Sequence, residues 1–266
     1  RNMAVTVYDN KIYVIGGETA EGVIGLAEVY DIASDTWARL PDKPTPVTNA
    51  KAAVLGGKIY IPGGQTADGA ATAITEVFDP ATATWSEGQA LLEAIRNYGL
   101  LDANGNLYLF GGAGRDGLSD QVLEFDPSTQ NWRSFGSLPH AVQDPSVLSR
   151  DGHFYMFGGE TAQGELMPYY QLLQVQQGFN AEDWQPFVDG LEPAKISSSV
   201  ITEVQTILLR ASDPQDLLFL TETEEGLVQE ASLINESIAA CNHKQFAYSR
   251  GNLYLLGGSD EKSGSC

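Results

Sequence analysis

The sequence predicts an all-β protein built from a repeat, and three regularities predict it. A short apolar strand ending in two glycines recurs as KIYVIGG, KIYIPGG, NLYLFGG, HFYMFGG and NLYLLGG, starting at Lys11, Lys58, Asn106, His153 and Asn252. A tryptophan stands 26 residues before a diglycine position, at Trp37, Trp85, Trp132 and Trp184. An aromatic–aspartate pair precedes three of those tryptophans, as Tyr30-Asp31, Phe78-Asp79 and Phe125-Asp126. Short β-branched and aromatic runs bounded by turn residues read as strands. Self-similarity at a fixed period of this length marks a repeat architecture.

The elements follow in order. The first repeat (residues 1–44) offers four strands, MAVTVYD, KIYVIGG, LAEVYD and TWARLP. The second (45–91) and third (92–139) keep all three markers. The fourth (140–190) keeps Gly158-Gly159 and Trp184 but places Tyr170-Gln171 where the aromatic–aspartate pair belongs. The fifth (191–237) is recognisable by spacing only: Arg210-Ala211 stand at its diglycine position and Ala231 where the tryptophan would be. The sixth (238–266) has a first strand, KQFAYSR, and a second, NLYLLGG, and then stops.

This pattern resembles the Kelch repeat over nearly the whole chain. The resemblance implies a β-propeller in which each repeat supplies one blade of four antiparallel strands. Six blades is the simplest closure, the last of them incomplete in this chain. The expected source of its outer strands is a segment before Arg1 in a longer parent, or one beyond Cys266.

Physical chemistry supports the same architecture. Such blades cannot bury both faces alone, so they stack on neighbours and close radially. Glycine at a strand end permits positive φ and close backbone approach. The tryptophan is expected to fill space between blades, with an N–H that needs an acceptor. The aspartate is expected to hold a turn by accepting from local backbone N–H groups.

Charge excludes several partners. Fifteen basic residues against 35 acidic ones give a net charge of −20. A chain this acidic repels phosphate backbones and anionic lipid, which argues against nucleic acid and membrane surfaces. The N-terminal residues carry no signal-peptide pattern, and no apolar run reaches the length of a membrane-spanning helix. The few cysteines fit the cytosol; a bridge between them, with the acidity, leans towards a secreted or bacterial cell-surface protein.

The chemistry-bearing motifs are sparse. GAGRDG, residues 112–117, matches a dinucleotide fingerprint, but a strand pattern follows it rather than the helix that such a site requires. It reads as a loop between second and third strands. His140, His153 and His243 are scattered, so no metal or other cofactor is expected. Cys241 and Cys266 fall at the same end of the last repeat, which permits a disulfide; two free thiols are the alternative. Asn235-Glu236-Ser237 is a glycosylation sequon.

The candidate binding residues come from register. Kelch-like propellers usually bind ligands at one end of the central channel, and the position 14 residues before the first diglycine glycine is a recurrent contact site. Here it holds Asn2, Asn49, Asn97, Asp144, Ile196 and His243. The preceding position holds Arg1, Thr48, Arg96, Gln143, Lys195 and Asn242. The facing loops begin at Glu18-Thr19, Gln65-Thr66, Ala113-Gly114-Arg115, Glu160-Thr161 and Ser259-Asp260. Amides and carboxylates converging there suit a polar ligand, and equally suit turn backbone groups. Arg96 and Arg115 suit an acidic partner, because arginine grips carboxylates in a two-pronged bond. Tyr98 and Tyr169-Tyr170 are candidates for stacking or for the core.

The resemblance therefore implies a non-enzymatic recognition module for a protein or peptide segment or a small polar ligand, without a cofactor. The alternative it implies is a carbohydrate-active propeller such as a sugar mutarotase or epimerase. Glu18, Asp144, Glu160 and His243 would then supply the acid and base.

Overall fold

The computed structural model describes residues 1–150, 152–172, 175 and 178–186, and beyond them the strand segments only. Blade 1 contains β1 (Ala4–Tyr8) and β2 (Lys11–Ile15), a small hairpin of β3 (Glu18–Thr19) and β4 (Gly22–Val23), then β5 (Ala27–Asp31) and β6 (Thr36–Arg39). Blade 2 contains β7 (Ala53–Leu55), β8 (Lys58–Pro62), β9 (Thr75–Asp79) and β10 (Thr84–Glu87). Blade 3 runs through β11 (Gly99–Ala103), β12 (Asn106–Phe110), a hairpin of β13 (Ala113–Gly114) and β14 (Gly117–Leu118), then β15 (Gln121–Asp126) and β16 (Asn131–Ser137). Blade 4 contains β17 (Ser146–Arg150), β18 (His153–Phe157), β19 (Tyr170–Leu172) and β20 (Gln185–Pro186), with a single 3-10 turn at Ala181–Asp183. Blade 5 contains β21 (Ile196–Ile201), β22 (Gln205–Arg210), β23 (Asp216–Thr223) and β24 (Gly226–Ile234). Two further strands, β25 (Gln245–Ser249) and β26 (Asn252–Leu256), pair with each other.

The protein is thus an all-β propeller; among the described residues it has five four-stranded sheets and a two-stranded sixth. Each four-stranded sheet is antiparallel and ordered as the chain runs. The first strands are innermost: β1 touches β7, β7 touches β11, β11 touches β17, β17 touches β21, β21 touches β25, and β25 returns to β1.

The repeat markers act between blades. Among the described residues, the three largest apolar clusters each lie between adjacent blades. Ile15, Ile59, Ile61 and Phe78 lie in the first, Tyr98, Leu107, Leu109 and Trp132 in the second, and Phe110, Phe154, Met156 and Trp184 in the third. The first diglycine residue sits where the next blade's backbone presses closest. A Cβ on Gly63, at φ +68°, would come 2.6 Å from the Ile95 carbonyl oxygen, and Gly64 N–H donates to that same oxygen at 2.8 Å. No side chain fits there, which explains the motif.

The tryptophans clamp successive blades. Each indole stacks beside the aromatic of its own aspartate pair, with centroids 5.2 Å apart for Tyr30–Trp37, 5.0 Å for Phe78–Trp85 and 5.3 Å for Phe125–Trp132. Trp85, Trp132 and Trp184 donate their indole N–H to the carbonyls of Pro41, Gln89 and Ser137 in the preceding blade. Trp37 departs from the pattern and is 51% exposed. Asp31, Asp79 and Asp126 hold their turns as expected, accepting from the N–H groups of Ala33, Ala81 and Ser128. In blade 5 the backbone pairs Phe219 with Ala231, the partnership that joins aromatic to tryptophan in blades 1 to 3.

Candidate functional site

The two loops named by register do meet at one end of the channel. Thr48 and Gln65 exchange backbone hydrogen bonds at 2.9 and 2.8 Å, and Arg96 does the same with Ala113, and Gln143 with Glu160. In blade 1, Glu18 N–H donates to the Arg1 carbonyl at 2.9 Å. Blades 1 to 4 therefore each present the loop before the first strand against the loop after the diglycine.

The register residues themselves form a chain around the mouth. Asn49 N–H donates to the Asn2 carbonyl, Asn97 N–H to that of Asn49, and Asp144 N–H to that of Asn97. All four adopt positive φ, between 51° and 56°. That conformation explains the preference for Asn and Asp, which tolerate it better than other non-glycine residues. Their side chains are half-buried and bonded. Asn2 Nδ2 donates to Glu18 Oε1 at 3.0 Å, and Asn49 Nδ2 to Gln65 Oε1 at 2.8 Å. Blade 3 has Ala113 at the acceptor position, so Asn97 Nδ2 turns to the next blade and donates to both Asp144 oxygens, at 2.9 and 3.0 Å.

The cations are the more telling groups. Arg1, Lys11, Arg39, Lys43, Lys58 and Arg133 all lie in ion pairs. Arg96 is half-buried at the mouth and has no ion-pair partner among the described residues. Arg115 is exposed at the turn of the β13–β14 hairpin. The glycine-rich GAGRDG segment forms that hairpin, so it is a surface loop and no helix follows it.

Tyr98, Tyr169 and Tyr170 are buried, at 0%, 3% and 8% exposure, which decides between the two alternatives in favour of the core. Among the carboxylates weighed as acid or base, Glu18 is engaged by Arg1 Nε at 2.7 Å and by Asn2, and Asp144 by Asn97. Glu160 is held beside Gln143. His243, Cys241, Cys266, Lys195, Asn242, Ser259 and Asp260, and the sequon at Asn235, lie outside the described residues. Among the described residues, no three metal-ligating side chains gather, and no helix is long and apolar enough to cross a membrane.

Family models described as Kelch motif match residues 1–44, 46–91 and 100–139. The chain belongs to the Kelch-repeat family. Among solved structures, one described as "Structure of YjhT" matches with a TM-score of 0.77 at 14% identity, covering 100% of this chain and 92% of that one. At that identity the likeness shows the fold alone. Comparison with curated proteins finds no match.

Sequence reasoning missed two features of this Kelch propeller. Lys51, two residues past Asn49, carries an ammonium that burial pulls below the usual lysine range, with Asp144, two blades away, opposing in part. Aligning the repeats would have exposed it, since blades 1, 3 and 4 place Ala4, Gly99 and Ser146 at the same register. The second is a groove of roughly 300 Å³ on the outer side of blade 2, lined by Pro44, Thr45, Ile74, Glu76, Trp85, Ser86 and Glu87. Beneath it, Lys43 Nζ donates to Glu76 at 2.5 Å, with both side chains buried. No repeat marker falls on Lys43 or Glu76, so spacing did not point to them.

Proposed function

We propose that this Kelch propeller is a recognition module that takes an acidic or polar group of a protein segment or small ligand at its channel mouth. The observation that carries the reading is Arg96. In a chain with net charge −20, carboxylates are abundant, yet this half-buried guanidinium has no ion-pair partner among the described residues. Its planar fork matches a carboxylate in two bonds. Next to it in the chain, Asn97 belongs to the run of Asn49, Asn97 and Asp144 linked by backbone hydrogen bonds, and Arg115 is an exposed second cation on the hairpin after the blade 3 diglycine. Loops on a stable scaffold are the usual seat of such binding.

The test is a titration of isotope-labelled protein with acidic peptides and sugar acids, read by backbone and arginine side-chain NMR shifts. Shifts centred on Arg96, Asn97 and Asp144 that vanish in Arg96→Ala and persist in Arg39→Ala support the mouth. The Arg39 control sits on blade 1's outer strand, paired with Asp42. Shifts unaffected by Arg96→Ala would overturn the assignment.

A further inference from the structure

Blade 1 holds, within its own chain, the contact that blade 3 leaves unmade. Arg1 and Glu18 exchange backbone hydrogen bonds, both at 2.9 Å. On that frame Glu18 Oε1 accepts from Arg1 Nε at 2.7 Å and from Asn2 Nδ2 at 3.0 Å. One carboxylate oxygen is thus gripped by an arginine and by the amide of the next residue.

Blade 3 repeats the frame without the carboxylate. Arg96 and Ala113 exchange backbone hydrogen bonds at 3.1 and 2.7 Å. Arg96 and Asn97 stand 15 and 14 residues before the first diglycine glycine, as Arg1 and Asn2 do. Asn2 and Asn97 share the same left-handed backbone, each at φ 56°. Ala113 stands two residues past that glycine, in the place of Glu18, and its methyl group accepts nothing. Arg96 accordingly has no ion-pair partner among the described residues. Asn97 Nδ2 donates to Asp144 of the next blade instead. Ala113 is buried, at 7% exposure, while Arg96 and Asn97 are half-buried, so the donors and not the methyl remain within reach of solvent.

The other blades described at this mouth lack the cation. Blade 2 places Thr48 before Asn49 and answers that amide with the neutral Gln65 Oε1 at 2.8 Å. Blade 4 places Gln143 before Asp144.

We propose that Arg96 and Asn97 form a carboxylate subsite made vacant by Ala113, in which a ligand's carboxylate takes the place that the Glu18 side chain fills in blade 1. The inference deepens the channel-mouth reading and rests on it. The guanidinium offers a planar fork of N–H donors, and the amide adds another. Asn97 Nδ2 exchanges Asp144 for the ligand, turning to its own blade as Asn2 and Asn49 already do. Two sources present such a carboxylate, a glutamate side chain of a protein segment and a small organic acid, and the probes separate them.

The test is NMR of the labelled full chain, titrated with glutarate, with an end-capped Gly-Glu-Gly peptide and with its Gly-Gln-Gly counterpart. Both carboxylates are expected to shift the Arg96 Nε–H and Asn97 Nδ2 signals, and the glutamine peptide is not. Tighter binding of the peptide assigns the subsite to a protein segment, and tighter binding of glutarate to a small acid. Ala113→Glu supplies the missing acceptor from within. It is expected to shift the same signals with no ligand present and to weaken both carboxylates about tenfold or more. Glu18→Ala does the reverse, and is expected to add a second set of carboxylate shifts at Arg1 and Asn2. Circular dichroism and thermal melting establish that each variant is folded. Carboxylate binding that Arg96→Ala removes, but that a folded Ala113→Glu leaves intact, overturns the subsite and keeps the mouth reading. The absence of new shifts in a folded Glu18→Ala likewise overturns the equivalence of the two blades. A wild type silent to every probe overturns both readings.

Discussion

The Tyr98 hydroxyl reaches into the neighbouring blade and donates to the carbonyl of Pro62, while accepting from the Lys51 N–H. One side-chain oxygen thereby replaces the ladder contact that proline removes. The ring around it is fully buried. Tyr98→Phe keeps the ring and strands one part-buried N–H and one buried carbonyl, which costs about 1–3 kcal/mol. Urea denaturation of the two proteins reads this directly. An unchanged midpoint would show that water takes the hydroxyl's place.

Positive φ at Asn97 separates its structural and binding roles. Asn97→Gly accepts φ +56° without strain but loses the amide that holds Asp144. Asn97→Ala loses the same amide and adds a left-handed penalty of about 1–2 kcal/mol. The expected outcome is a stability order of wild type, then Gly, then Ala, with ligand-induced shifts at the mouth weakened in both variants. Equal stability of Gly and Ala variants would show that the backbone relaxes out of the left-handed region.

The fold was legible because its markers are each tied to one obligatory contact. Gly63 must be bare where Ile95 presses on it, and Trp132 must find an acceptor, which Gln89 supplies. Spacing also carried through the degenerate fifth repeat, where β22 ends at Arg210 and Ala231 lies on β24. The site was legible only as register. Counting back from the diglycine finds Asn2, Asn49, Asn97 and Asp144, but not which way their side chains turn. Asn49 keeps to its own blade because Gln65 is there to accept; Asn97 crosses to Asp144 because Ala113 cannot. Lys51 escaped notice because its significance lies in contrast with Ala4, Gly99 and Ser146 and in Pro62 opposite, none of which is a marker.

Trp132 and Trp37 occupy the same repeat position in different surroundings, at 5% and 51% exposure. Trp132→Ala removes a buried ring and orphans the Gln89 carbonyl, and large-to-small changes of this kind cost about 3–5 kcal/mol. Trp37→Ala leaves no comparable cavity and is expected to cost well under half as much. Paired denaturation curves check this. Equal losses would place a tight partner over Trp37 in solution.

Two turn aspartates, Asp31 and Asp126, add an acid-sensitive contribution to the turns they hold. The Ser128 hydroxyl, then its N–H, hold Asp126 below the usual carboxylate range; the Ser34 N–H does so first for Asp31. A folded-state value below the unfolded one means that this stabilisation is complete above the ordinary aspartate value. It is lost as pH falls through the depressed one. Carbon-detected titration is expected to show both carboxyls ionising at lower pH than an exposed aspartate. Asp126→Asn, which keeps an acceptor oxygen but no charge, should flatten that part of the acid-stability profile. Ordinary titration midpoints for Asp31 and Asp126 would remove the aspartate turns from the account of acid stability.

Lys43 and Glu76 form the buried ion pair of blade 2, with side chains 1% and 8% exposed. The pair is well furnished. Lys43 Nζ also donates to the Thr45 carbonyl at 2.9 Å, and the Glu76 carboxylate accepts from Thr45 N–H and from its hydroxyl at 3.0 Å. The pair ties the chain leaving blade 1 to the third strand of blade 2, beneath the groove beside Trp85. Removing one partner leaves the other charge buried and uncompensated, so Glu76→Ala is expected to destabilise by about 3–5 kcal/mol. Replacing both, as Lys43→Met with Glu76→Leu, removes two desolvated charges together and should recover most of that loss. The difference between single and double variants in urea denaturation measures the coupling. If the double variant is as unstable as Glu76→Ala, the Thr45 bonds rather than the charge pair hold this junction. If Glu76→Ala is neutral, water from the adjoining groove reaches Lys43.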